Sequence, residues 1–87
     1  MKDLNEARLE LNNIDDQMKS LFLKRMGIVK EIAIYKKENN MAIFDEKREK
    51  EMLDRLSKDT GELKEYYISF LNSILKESKS YQETIIK

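Results

Sequence analysis

Apolar residues recur at alternating steps of three and four from Leu4 to Tyr35, which is the spacing of one stripe along an amphipathic or coiled-coil helix. The stripe comprises Leu4, Ala7, Leu11, Ile14, Met18, Leu21, Arg25, Ile28, Ile32 and Tyr35. Arg25 places a cation in the middle of it, and a buried guanidinium is costly unless it meets an anion with good geometry. The sequence therefore leaves two alternatives for Arg25. It forms an ion pair inside the protein, for example with Glu49, or it lines a pocket for an anionic ligand.

The stripe predicts a first helix from about Asp3, a plausible N-cap, to about Glu38, followed by the turn-prone pair Asn39-Asn40. Such a helix is about 54 Å long at about 1.5 Å per residue. A compact domain of 87 residues has a radius of gyration of only about 12 Å. The helix is therefore too long to be covered by its own chain, and we expect a two-fold homodimer.

The rest of the chain predicts two further helices. Residues 39–44 read as a loop, Asp45 as the N-cap of a second helix, and Asp59-Thr60-Gly61 as its end. A third helix is predicted from about Glu62 to about Thr84. The expected fold is all-α, with three helices per protomer, a very long first helix and an intertwined helical homodimer. Residues 1–87 are expected to form one domain.

Composition excludes several kinds of chemistry. The chain has no Cys and no His, so it lacks thiols, disulfides, the commonest general base and the commonest metal ligand; we predict no metal and no cofactor. Lys+Arg and Asp+Glu are both 17, which argues against binding to nucleic acid or to an anionic membrane. No apolar run reaches the about 20 residues of a membrane span, and the charged N-terminus is unlike a signal peptide. A cytoplasmic protein is expected.

Each predicted helix carries polar residues on its apolar face. Lys36 lies about 20° round the first helix from Arg25, at about 100° per residue, with Val29 and Ile32 between them. Taken singly, each such residue has an ordinary explanation, such as a lysine at a helix end, a solvated surface charge, a cap or a serine bonded to a preceding carbonyl. The combination on three helices that must pack together is more informative. The members on the second and third helices are Asp45, Arg48, Glu49, Ser78 and Gln82.

The combination resembles the all-helical class of chorismate mutases over nearly the whole chain. The family pattern begins with an arginine, here Arg8 in LNEARLEL, and continues with IDDQMKSLFLKR, which ends at Arg25. A lysine closes the first helix, here in IAIYK, the second helix carries DEKRE, and the third ends with SKSYQ. Many members have a proline shortly before the aspartate of the second helix, and the loop NNMAIFD has none.

The resemblance implies conversion of chorismate to prephenate, an intramolecular [3,3] rearrangement that needs no nucleophile, metal or cofactor. It implies that Arg25 and Arg8 bind the substrate carboxylates, with Arg8 supplied by the other protomer. Lys36 and Gln82 would donate hydrogen bonds to the ether oxygen, on which negative charge grows as the C–O bond breaks.

The resemblance also implies roles for four more residues. Arg48 and Ser78 would add polar contacts to the carboxylates, and Glu49 and the Asp45 backbone N–H would bind the substrate hydroxyl. The catalytic set implied is Lys36, Gln82, Arg25 and Glu49. Val29, Ile32 and Leu75 are expected to form the apolar wall.

Three alternatives stay open at the level of sequence. An isochorismate pyruvate-lyase would use the same scaffold and similar cations. A non-catalytic regulatory domain would bind chorismate or prephenate for a partner enzyme. A helical dimerisation module with a few buried ion pairs would bind neither ligand.

Overall fold

The computed structural model describes residues 3–87, which fold into three α-helices joined by short connections. Helix α1 spans Leu4–Glu38, α2 spans Glu46–Leu56 and α3 spans Lys64–Ile86. No strand occurs in residues 3–87. The prediction of an all-α fold with three helices and a very long first helix is therefore confirmed.

The third helix begins later than predicted because a short turn precedes it. Residues Gly61–Leu63 form a single 3₁₀ turn, in which the Leu63 N–H donates to the Thr60 carbonyl at 3.1 Å. Gly61 has φ +59°, a left-handed conformation that glycine adopts at little cost. The expected start at about Glu62 was wrong by two residues, since the chain must first make this turn.

Aspartate side chains begin the first two helices. The Asp3 carboxylate accepts a hydrogen bond from the Glu6 N–H at 2.8 Å, and the Asp45 carboxylate accepts one from the Arg48 N–H at 3.1 Å. Each carboxylate thus satisfies one of the backbone donors that have no partner inside the helix. Both N-caps were predicted from the sequence.

Helix α1 ends without a glycine or a proline. Asn40 has φ 53°, and the backbone N–H groups of Met41 and Asn40 donate to the carbonyls of Lys36 and Lys37 at 2.8 and 3.4 Å. This pair of hydrogen bonds is the Schellman motif, which satisfies carbonyls at the end of a helix. The turn sends the chain back towards α1 and fixes where the loop to α2 starts.

Helix α3 is the element on which the other two pack, since it contacts both α1 and α2. The main apolar cluster lies between α2 and α3, around Met52, Leu71 and Leu75. Leu53, Leu56, Tyr67 and Ile74 pack against it. In the described part of the chain, α1 and α2 do not pack directly against each other. A space between them therefore remains open.

The apolar stripe of α1 is largely uncovered within one protomer. Leu11, Leu21 and Tyr35 are 55%, 64% and 61% exposed. The buried residues of α1 are Val29 and Ala33, which lie about 40° and 80° round the helix from Arg25. Helix α3 thus covers one flank of the stripe rather than its centre, an offset that the sequence pattern did not predict.

The shape of the protomer matches the length of α1. Its longest dimension is 55 Å and its radius of gyration is 16.3 Å, whereas a compact chain of this size has a radius of gyration of about 12 Å. The N-terminal half of α1 extends beyond the region where the three helices meet.

Candidate active site

A cavity of about 200 Å³, lined by both polar and apolar side chains, lies where α1, α2 and the loop between them face α3. The sequence analysis predicted eight polar site residues. Seven of them line this cavity, and the eighth, Arg8, does not. Arg8 is exposed on α1, 17 residues before Arg25 and therefore about 25 Å away along the helix. The lining comprises Arg25, Val29, Ile32, Lys36, Ile43, Asp45, Arg48, Glu49, Met52, Leu75, Ser78, Lys79 and Gln82.

Arg25 is held by a neutral group. Its Nη1 donates to the Ser78 Oγ at 2.7 Å, and the same hydroxyl donates to the Ile74 carbonyl at 2.8 Å. Ser78 is only 5% exposed, so it fixes the guanidinium in place. Within residues 3–87 no carboxylate is within ion-pair distance of Arg25. The ion pair with Glu49, an example of one of the two alternatives left open for Arg25, does not form, and no acidic side chain compensates the charge of Arg25.

Lys36 joins the end of α1 to α3 and to the loop. Its Nζ donates to the Ile43 carbonyl at 2.8 Å and to the Gln82 Oε1 at 3.3 Å. An ammonium group can only donate hydrogen bonds, so it requires the oxygen of the Gln82 amide on its side. The amide NH₂ of Gln82 therefore points away from Lys36, and since Gln82 lines the cavity, it is available to donate to a ligand there.

Glu49 pairs with a lysine that the sequence analysis did not select. The Lys79 Nζ lies 3.3 and 3.2 Å from the two carboxylate oxygens of Glu49 and 4.8 Å from the centre of the Phe44 ring. Lys79 comes four residues after Leu75 and three before Gln82, so helical spacing could have placed it on the same face. It was missed because it has no counterpart in the family pattern quoted above.

The second helix directs two more groups at the cavity. Asp45 caps α2, so its carboxylate is already engaged by the Arg48 N–H. The Arg48 guanidinium has no hydrogen-bond or ion-pair partner in the described chain. Arg48 is thus a second arginine in the lining that can bind an anion without first breaking an ion pair.

The cavity carries an excess of positive charge in a chain that is neutral overall. Four cations, Arg25, Lys36, Arg48 and Lys79, face two carboxylates, which leaves a formal excess of two positive charges. Among residues 3–87, no cluster of acidic side chains could hold a metal ion. The arrangement suits a small dianion bound by guanidinium and ammonium donors against an apolar wall.

Comparison with known proteins identifies the family. Residues 7–83 match the family model described as chorismate mutase type II. The chain belongs to the type II chorismate mutase family. The match includes every polar residue of the cavity, as well as Arg8.

Two curated relatives of this family carry the same name, bifunctional chorismate mutase/prephenate dehydratase. The protein from Buchnera aphidicola subsp. Acyrthosiphon pisum (strain APS) is 39% identical over 83 residues, covering 92% of this chain and 22% of the relative. The protein from Buchnera aphidicola subsp. Schizaphis graminum (strain Sg) is 44% identical over 55 residues, covering 63% of this chain and 14% of the relative. The chain spans about a fifth or less of the length of these relatives.

No solved structure matches the chain significantly. Among the described residues, no helix combines the length and the apolar character needed to cross a membrane.

Proposed function

We propose that residues 1–87 form one chorismate mutase domain that converts chorismate to prephenate in aromatic amino acid biosynthesis. The observation that carries the proposal is the state of Arg25, which a buried serine holds in a cationic cavity without an acidic partner. Chorismate has two carboxylates, a hydroxyl and an ether oxygen, and the lining offers donors for each. The family match and the names of the relatives support the same reaction.

The first task of the site is to hold the substrate in its reactive chair. The planar guanidinium groups of Arg25 and Arg48 suit carboxylates, which they can bind through two parallel hydrogen bonds. The Glu49 carboxylate would accept a hydrogen bond from the substrate hydroxyl, and the Asp45 backbone N–H would donate one to the oxygen of that hydroxyl. Because Ser78 already fixes Arg25, little further ordering is needed on binding. Holding a flexible reactant in one conformation can supply several kcal/mol of the about 8 kcal/mol that a million-fold acceleration requires.

The second task is to stabilise charge that appears only in the transition state. Lys36 and the NH₂ group of Gln82 would donate hydrogen bonds to the ether oxygen as the C–O bond breaks. The Lys36–Gln82 hydrogen bond supports this role, since it engages the amide oxygen and leaves the NH₂ group of Gln82, a lining residue of the cavity, to donate elsewhere. Such oriented donors need no reorganisation during the reaction, and they act more strongly in a dry site than in water.

We further propose that the active form is a two-fold homodimer in which Arg8 enters the cavity of the partner. The exposed stripe of α1 supports a dimer, because apolar patches of this extent mark association surfaces. An open apolar groove of about 570 Å³ lies beside it, lined by Met18, Leu21, Phe22, Phe70 and Ile74 among others. Arg8 lies too far along α1 to reach the cavity of its own chain. The cytoplasmic location stays a prediction from the sequence.

The deciding experiment is an assay of chorismate disappearance by ultraviolet absorbance. We expect turnover by the wild-type chain, and we expect Arg25→Ala to lower kcat/KM by about 10²-fold or more, the scale of losing one aligned donor in a site of this kind. Lys24→Ala is the matched control, because Lys24 is an exposed cation one residue away. Turnover of isochorismate alone would assign a lyase instead. Binding without turnover of either substrate would assign a regulatory domain.

A further inference from the structure

Lys79 occupies a position between the cavity and the protein surface. It lines the cavity described above and also a shallow outer groove with Phe44, Lys76, Ser80 and Glu83. Its side chain is 34% exposed, whereas that of its partner Glu49 is 20% exposed. The ammonium group thus meets Glu49 where the cavity adjoins the outer groove, 4.8 Å from the centre of the Phe44 ring.

The Lys79–Glu49 ion pair occupies a carboxylate that lines the same cavity as two arginines. Arg25 and Glu49 line the same small space, and an arginine fork and a carboxylate form strong ion pairs when they can reach each other. A pair between them would cancel the positive charge that a dianionic ligand needs. Lys79 contacts both carboxylate oxygens, so it supplies Glu49 with a counter-ion other than Arg25 or Arg48.

We propose that Lys79 is a positioning residue that holds Glu49 away from Arg25 and Arg48. This inference rests on the proposed function and assigns a role to a residue outside the predicted site. With Lys79 present, Glu49 keeps an orientation in which it can accept a hydrogen bond from a ligand hydroxyl. Neither guanidinium group is then paired with Glu49, so both can bind ligand carboxylates. Without Lys79, the Glu49 carboxylate turns to a guanidinium and competes with the ligand for it.

The test begins with Lys79→Met, which keeps an unbranched side chain of similar size and removes the charge. We expect KM for chorismate to rise about tenfold, the scale of a charge-assisted hydrogen bond, with kcat changed less than about twofold. The reason is that the arginines bind the substrate carboxylates equally well in the ground state and in the transition state. Weaker binding of these carboxylates therefore raises KM without lowering kcat. Lys76→Met is the control, since Lys76 is exposed, makes no ion pair within residues 3–87 and lies outside the cavity.

The same substitution in a Glu49→Gln background separates positioning from direct contact. A neutral amide forms no competing ion pair, so Lys79→Met should then change KM by less than about twofold, a non-additive result in a double-mutant cycle. An equal rise in KM in both backgrounds would overturn the proposal, because it would mean that Lys79 attracts the ligand directly. Lys79→Arg should restore KM to near the wild-type value, and a failure to restore it would also count against the ion pair.

A binding measurement keeps this test independent of turnover. The four variants of the cycle are titrated by calorimetry with a bicyclic dicarboxylate that mimics the reactive chair, and the same coupling is expected in Kd. If the wild-type chain binds this compound without converting chorismate, the proposed reaction fails while the role of Lys79 is still decided by the cycle. If additive effects appear in an active enzyme, the role of Lys79 fails and the reaction stands.

Discussion

The two halves of α1 share one apolar period but lie in different surroundings. In the C-terminal half, α3 buries Val29 and Ala33, and the adjoining face carries Arg25 and Lys36 into the cavity. In the N-terminal half, residues 4–24 are exposed apart from the half-buried Ala7. The pattern of side chains hardly changes between the halves, so the period alone does not determine what covers a helix. One half builds a site within the chain, and the other leaves its apolar stripe uncovered, which is the surface we propose for the dimer.

The largest effect is expected from the half of α1 that lines the cavity. Lys36→Ala should lower kcat by about 10²- to 10³-fold with a much smaller change in KM, because Lys36 would act on charge present only in the transition state. Steady-state kinetics with chorismate provide the measurement. Lys37→Ala is the matched control, since Lys37 is the next residue and is exposed. An increase in KM alone would show that Lys36 only binds substrate.

The next effect concerns the uncovered half. Ile14→Lys places a charge in the middle of the exposed stripe and should dissociate the proposed dimer, because an aliphatic side chain buried in its interface would contribute about 1.5–3 kcal/mol. Analytical ultracentrifugation should show a monomer, and activity should fall with it because Arg8 is no longer delivered. Ser20→Lys, about 120° round α1 from Ile14 and outside the stripe, should change neither property. A wild-type chain that sediments as a monomer would contradict the assignment of this half to an interface.

Mixing two inactive variants tests whether the two halves work together across protomers. In a dimer of an Arg8→Ala chain with a Lys36→Ala chain, one site retains both wild-type residues. Random exchange of subunits should therefore restore about a quarter of the wild-type activity, as the two-fold symmetry of the dimer requires. The measurement is kcat per site after refolding the mixture. No recovery in proven mixed dimers would place Arg8 outside the partner's site.

The smallest effect is expected at the glycine between the two halves. A Cβ on Gly27 meets no atom within 4 Å in the protomer, so Gly27→Ala should raise the free energy of unfolding by up to about 1 kcal/mol through helix propensity. Gly61→Ala is the contrasting variant, because its φ of +59° strains any residue with a Cβ, and it should lower stability by about 1 kcal/mol. Denaturant unfolding measures both. A loss of stability for Gly27→Ala would indicate that a partner helix lies close to this position.

Much of the fold follows from local signals in the sequence. Aspartate caps, the apolar period and the Asn39-Asn40 pair predict α1 to within about one residue, because caps and periodicity are properties of neighbouring residues. The predicted start of α3 was less accurate, because the residues that follow the turn at Gly61 are acceptable in either a 3₁₀ turn or an α-helix. Polar residues at apolar positions indicated seven members of the cavity lining, because a folded chain seldom buries such groups without a use for them.

Long side chains mark the limit of what the sequence predicts. Glu49 was considered as a partner of Arg25, but it pairs with Lys79, while Arg25 donates to Ser78. Either pairing is compatible with helical spacing, since lysine, arginine and glutamate reach in several directions from a fixed backbone. The choice depends on where α3 brings Ser78 and Lys79, which is a matter of distances between helices.

By itself the sequence determined three helices, their approximate ends, and a set of cations and polar groups on their apolar faces, because each of these depends on residues within a few positions of one another. The tertiary structure decided which flank of α1 packs on α3, and thereby left the apolar stripe uncovered. It also decided that Arg25 meets a hydroxyl rather than a carboxylate. That choice between an internal ion pair and an open cationic pocket could be made only once α2 and α3 had fixed positions, because an ion pair depends on the distance between its partners.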